Sequence, residues 1–107
     1  METYEHIYFV GIGGIGMSAL ARWFNANGKN VMGYDKTPSP LTEKLSEEGI
    51  VIHYQDNVEL IPPIFRTPNS KLLVVYTPAI PEQHSELTFF RENNFTILKR
   101  AAVLGLI

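Results

Sequence analysis

The chain has 107 residues, 45% of them hydrophobic, a formal net charge of −2 and no cysteine. That is one domain with enough apolar content for a core, without the basic stripe of a nucleic-acid binder, the cysteines of a disulfide scaffold or cysteine zinc site, or an apolar run long enough to cross a membrane. The acidic start Met1-Glu2-Thr3-Tyr4-Glu5 is not a secretory leader, so a soluble, cytoplasmic protein is expected, with no nucleic-acid or membrane partner.

His6 to Val10 is a nearly continuous apolar run, the mark of a strand covered on both faces. Gly11-Ile12-Gly13-Gly14-Ile15-Gly16 follows as a turn. Met17, Leu20, Ala21 and Phe24 then recur at helical spacing, and Asn27-Gly28 ends that helix. Asn30 to Tyr34 reads as the second strand, with Asp35 just past its end. Ser39-Pro40 is an N-cap with proline at the first helical position, opening a helix that stops at Gly49. Its carboxylates Glu43, Glu47 and Glu48 read as a solvated face.

Ile50 to His53 is predicted as a short third strand, and Val58 to Ile61 as a helical turn broken by Pro62-Pro63. Phe65 to Lys71 reads as a loop. Leu72 to Tyr76 is the most strand-like run and belongs at the sheet centre, with Thr77-Pro78-Ala79-Ile80-Pro81 as the loop after it. A helix starting at Glu82 or Ser85 reaches Asn93, with Leu87 and Phe90 inward. Phe95 to Leu98 is the fifth strand, and Lys99 starts a last helix. The tail Ala101 to Ile107 is apolar, which predicts either docking onto this domain or a chain cut just before a further one.

Strands alternating with helices make this an α/β chain, a Rossmann-like three-layer domain whose five-stranded, mostly parallel sheet runs 3-2-1-4-5 under right-handed crossovers. That order reverses between the first and fourth strands. Ligands bind at such a reversal, outside the carboxyl ends of the strands. Gly11–Gly16 and Thr77–Pro81 are the loops there.

Gly11, Gly13 and Gly16 match G-x-G-x-x-G between a strand and a helix, with Asp35 after the next strand. Gly11 permits the tight turn, Gly13 lets a diphosphate approach the backbone, and Gly16 lets the helix pack close to the strand. Free amides and the helix macrodipole then attract the phosphates. Asp35 has the position of a ribose-binding acid, and Lys36 beside it that of a phosphate partner. Thr77, just past the central strand, has a hydroxyl to offer, and the Arg100 fork fits either a phosphate or an exposed salt bridge. His6, His53 and His84 lack metal spacing and read as structural or exposed. There is no G-x-x-x-x-G-K-[ST] loop and no nucleophile paired with a base, so a binding site is expected without catalytic residues or a metal. An NAD-binding domain and a nucleotide-sensing module remain open on these residues.

His6 to Phe24, HIYFVGIGGIGMSALARWF, resembles the start of the Mur ligase family of bacterial peptidoglycan synthesis. The resemblance continues through Gly33-Tyr34-Asp35, Pro40-Leu41-Thr42, Thr77-Pro78-Ala79-Ile80 and Leu98-Lys99-Arg100-Ala101. It implies the first domain of an ATP-dependent ligase, the domain that binds the UDP of UDP-N-acetylmuramate, with L-alanine, ATP and magnesium handled by other domains. It places the Gly11, Ile12, Gly13, Gly14, Ile15, Gly16, Met17 and Ser18 segment on the diphosphate. Asp35 and Lys36 would lie on the ribose and uracil side, Thr77, Pro78, Ala79 and Ile80 on the facing loop, and Arg100 near the phosphates. Many relatives carry a histidine after the third strand, where this chain has Gln55-Asp56; Asp56 there is expected to repel phosphate. Met17-Ser18-Ala19 argues against the related murein peptide ligases.

Overall fold

The computed structural model describes residues 3–107; Met1 and Glu2 of the acidic start lie outside the described residues. The element order is β1 (His6–Val10), α1 (Ile15–Ala26), β2 (Asn30–Tyr34), α2 (Pro40–Glu47), β3 (Val51–His53), 3-10 turns at Val58–Leu60 and Pro63–Phe65, β4 (Leu72–Tyr76), α3 (Ser85–Glu92), β5 (Thr96–Lys99) and α4 (Arg100–Leu104). All pairings are parallel and the sheet order is β3-β2-β1-β4-β5, as the crossover argument predicts. No helix among the described residues is long and apolar enough to cross a membrane.

Alternation along the central strands makes two cores. Ile7 and Phe9 join Leu73 and Val75 under Leu20, Phe24, Leu45 and Val103, covered by α1, α2 and α4. Tyr8, Val10 and Val74 face the other way, onto Ile61, Phe65, Phe90 and Phe95. Strands β1 and β2 approach closely at Gly33, opposite Phe9 in the register. A β-carbon on Gly33 would lie 2.5 Å from the Phe9 carbonyl oxygen, so only glycine fits.

Strand and helix ends shift by one or two residues. Ile50 and Phe95 are buried just ahead of β3 and β5 rather than within them. α1 begins at Ile15, inside the predicted turn, because Gly14 already has the extended backbone of an N-cap. Lys99 is the last β5 residue and the N-cap of α4. Phe65, placed in a loop by its neighbours, closes a 3-10 turn that starts on Pro63 and lays its ring 5.6 Å from that of Tyr8. In the apolar tail only Val103 is buried; Leu104, Leu106 and Ile107 are exposed.

Candidate functional site

The carboxyl ends of β1, β2 and β4 open into a cleft of about 590 Å³. Gly11 and Gly14 form one wall, Tyr34, Asp35 and Lys36 the end of β2, and Thr77, Ala79 and Ile80 the facing loop. Asp56, Pro81, Gln83 and His84 complete it. The two loops named from the sheet reversal therefore line one cavity.

The glycine turn works by a different division of labour from the one its spacing suggests. Gly11 has φ +92°, a left-handed backbone that a side chain resists, and its absent β-carbon also leaves room for Ile80, 3.0 Å away. A β-carbon on Gly13 would lie 2.9 Å from both Asp35 Cγ and Thr42 Cγ2, so what its absence admits is the end of β2 and the start of α2. The Gly13 amide donates to Asp35 Oδ1 at 2.8 Å, and Thr37 donates to Oδ2 at 3.2 Å. Gly16 makes room for Arg100, whose Cζ would lie 2.8 Å from an added β-carbon. A β-carbon on Gly14 would meet nothing nearer than 3.8 Å, and Gly14 lines the cleft.

Beyond Gly14 the first turn of α1 is open. The N-cap makes no side-chain hydrogen bond and the turn holds no acidic residue. Ile15, Gly16 and Met17 have no acceptor for their amides among the described residues, whereas Ser18 donates to the Gly14 carbonyl at 2.7 Å. Three unmet donors and the positive end of a macrodipole are a combination that attracts anions. The Arg100 guanidinium rests over this turn with no carboxylate within 4.0 Å among the described residues. A cation at the positive end of a helix is unfavourable unless an anion lies between them.

Several sequence-named residues do not line the cleft with their side chains. The side chains of Ile12 and Met17 are core. The Ser18 hydroxyl is buried and donates to the Ile15 carbonyl at 3.1 Å, so neither its amide nor its hydroxyl proton is free for a ligand. Ile15 is exposed at the helix start and Pro78 on the loop. Thr77 Oγ1 accepts from the Ala79 amide at 3.0 Å, which shapes the loop and leaves the hydroxyl proton to donate. Lys36 is exposed at the rim. Glu43 and Glu47 are solvated as expected, but Glu48 ties α2 to α1 through Arg22, at 2.8 Å.

Asp56 has partners that the sequence did not show. Its carboxylate accepts from the Ser85 amide at 2.7 Å and the Glu86 amide at 3.0 Å, capping α3 across 29 residues or more of chain. It also faces His84 Nδ1 at 3.2 Å. The charge that would repel a phosphate is thus bound to a helix N-terminus. Behind it Glu86 is fully buried and accepts from Tyr8 Oη at 2.5 Å, His53 Nε2 at 2.6 Å and the Asn57 amide at 3.2 Å. His53 is thus tied to the buried Glu86, while His84 packs beside Asp56 and lines the cleft. Tyr34, at the β2 end, packs its ring 4.7 Å from that of His84. Burial first, then the charges of Asp56, Glu86 and Asp35, push its phenol pKa up and keep the hydroxyl protonated in the cleft. No group of residues able to hold a metal ion occurs among the described residues.

Residues 6–107 match the family described as Mur ligase family, catalytic domain. A UDP-N-acetylmuramate–L-alanine ligase of Phocaeicola vulgatus is 58% identical over all 107 residues, which are 23% of its own length. Its counterpart from Parabacteroides distasonis is 64% identical over 92% of this chain and 21% of its own. The chain thus spans under a quarter of these relatives. Among solved structures, the UDP-N-acetylmuramate–alanine ligase of Thermotoga maritima superposes with a TM-score of 0.81 at 32% identity, over 92% of this chain and 21% of the other.

Proposed function

This chain belongs to the Mur ligase family, and from that premise we propose that it is the domain that holds the UDP end of UDP-N-acetylmuramate in a ligase adding L-alanine at the expense of ATP. The observation that carries the reading is the open first turn of α1, with three amides unmet and Arg100 unpaired across it among the described residues. Relatives of this name at 58% and 64% identity support the choice of ligand.

The residues divide the work as follows. The amides of Ile15, Gly16 and Met17 take the diphosphate, and Arg100 closes on it with a charged fork. Asp35 holds the glycine turn in shape through Gly13, and each of its oxygens keeps a lone pair for a ribose hydroxyl. Tyr34 and the Thr77 hydroxyl offer donors along the cleft. In this reading the chain's part in the ligase is to bind and orient the nucleotide. Calorimetry with UDP, UDP-N-acetylmuramate and NADH tests this: the two uridine ligands should bind and NADH should not, and tighter NADH binding would remove the reading.

A further inference from the structure

His84 lines the cleft with a side chain that is more than nine-tenths buried. Its two ring nitrogens are in opposite states. The Leu87 amide donates to Nδ1 at 3.4 Å, which makes His84 the N-cap of α3. An amide proton aimed at Nδ1 needs a lone pair there, so the neutral ring carries its own proton on Nε2. Asp56 Oδ1 lies 3.2 Å from the same Nδ1, but that oxygen takes its proton from the Glu86 amide at 3.0 Å. Nε2 is buried and has no hydrogen-bond partner, alone in this among the buried side-chain nitrogens and oxygens of the described residues. Folds leave few buried donors unmet, because each costs the desolvation of the group. The Tyr34 ring packs 4.7 Å from the imidazole, and both line the cleft.

With the phosphates on the α1 turn and the ribose by Asp35, the base of the nucleotide is left for the part of the cleft that Tyr34 and His84 line. A base brings a flat face and an edge of donors and acceptors. We propose that His84 is a specificity-determining residue that reads this base, donating its Nε2 proton to the carbonyl oxygen farthest from the ribose, O4 of uracil. This rests on the UDP reading above and adds to it. Cytosine carries an amino group at that place. Two donors would then face each other and the buried one would stay unmet, which is how a site rejects a ligand of nearly the same shape. Asp56 is the positioning residue behind His84. By holding the Ser85 and Glu86 amides at 2.7 and 3.0 Å, it fixes the start of α3 from which the imidazole projects.

The test measures UDP and CDP by calorimetry on the wild-type chain and two variants, and follows the histidine ring nitrogens of the wild type by long-range proton–nitrogen NMR. The wild type should prefer UDP over CDP by roughly ten- to a hundredfold, the effect of one unmet buried polar group. His84 should show the tautomer protonated on Nε2, and its Nε2 signal should move with saturating UDP and stay in place with inorganic pyrophosphate. His84→Asn keeps an acceptor near the place of Nδ1 for the Leu87 amide but has no donor at Nε2; it should lose the preference by weakening UDP and not CDP. His84→Gln reaches the place of Nε2 with a donor and should keep most of the preference. Equal affinities for UDP and CDP in the wild type would overturn the inference, as would an unmoved Nε2 signal at saturating UDP or a full preference in folded His84→Asn. If that variant does not fold, the ring signals of the wild type decide. If neither UDP nor pyrophosphate moves the amides of Ile15 to Met17, it is the diphosphate reading that fails, and the inference falls with it.

Discussion

The Gly13 amide donates to Asp35 Oδ1 at 2.8 Å, so the acid at the end of β2 pins the glycine turn from across 22 residues of chain. That contact gives Asp35 a role before any ligand arrives. Replacing it with alanine frees an amide and slackens the turn, and UDP binding should weaken by about 1–3 kcal/mol, the range for an unmet polar partner. Asp35→Asn keeps an acceptor and should recover part of the loss. Calorimetry on both variants checks this, and equal, unchanged affinities would reduce Asp35 to a surface acid.

Gly13 is expected to be as much a folding residue as a binding one. A β-carbon there would press on Asp35 and Thr42, each 2.9 Å away. Gly13→Ala should therefore lower unfolding free energy by about 1–3 kcal/mol, the usual cost of overpacking, as well as weaken UDP. Urea denaturation at unchanged stability would show that the α2 start yields freely.

Gly16→Ala should behave differently. The atoms an added methyl meets belong to the Arg100 guanidinium, the far end of a flexible side chain, with Cζ at 2.8 Å. The fork can swing away at little cost to the fold, but it leaves the anion seat. Melting temperature should hold within a few degrees while diphosphate affinity falls by about 1.5–3 kcal/mol, the worth of a hydrogen bond to a charged group. Arg100→Ala should match it in binding, and the double variant should lose no more than either alone.

Tyr8 gives the alkaline prediction. Burial first, then the charge and hydrogen bond of Glu86, push its phenol pKa far above the ordinary 10.0. The folded chain thus keeps a proton that the unfolded chain releases near pH 10, so the associated stability is complete below pH 10 and is lost as pH rises beyond it. The slope should be about 1.4 kcal/mol per pH unit for one retained proton. Tyr8→Phe should flatten that slope, with Tyr34, also pushed up by burial, supplying the remainder. It should also cost about 1–3 kcal/mol at pH 7 by taking a donor from buried Glu86. Urea titrations at pH 7 and above pH 10 measure both, and parallel curves for the two proteins would contradict the argument.

The strands, their order and the mouth of the sheet were readable because each strand is a short apolar run and crossover handedness leaves few topologies. The turn was readable from its glycines and from Asp35. What those glycines make room for was not, since Arg100 folds onto Gly16 from the far end of the chain. The capping of α3 by Asp56 and the Tyr8–Glu86–His53 cluster were equally hidden. Their members lie 29 to 78 residues apart, and no local period or spacing reports such pairs. Asp56 read only as a repulsive charge because its partners were invisible; with Ser85 and Glu86 in view it is also a helix cap.

The central claim is that the diphosphate sits on the open turn of α1. Backbone NMR of the chain titrated with UDP-N-acetylmuramate tests it most directly. The account predicts saturable shifts centred on the amides of Ile15, Gly16 and Met17. Shifts centred anywhere else in the molecule would contradict it.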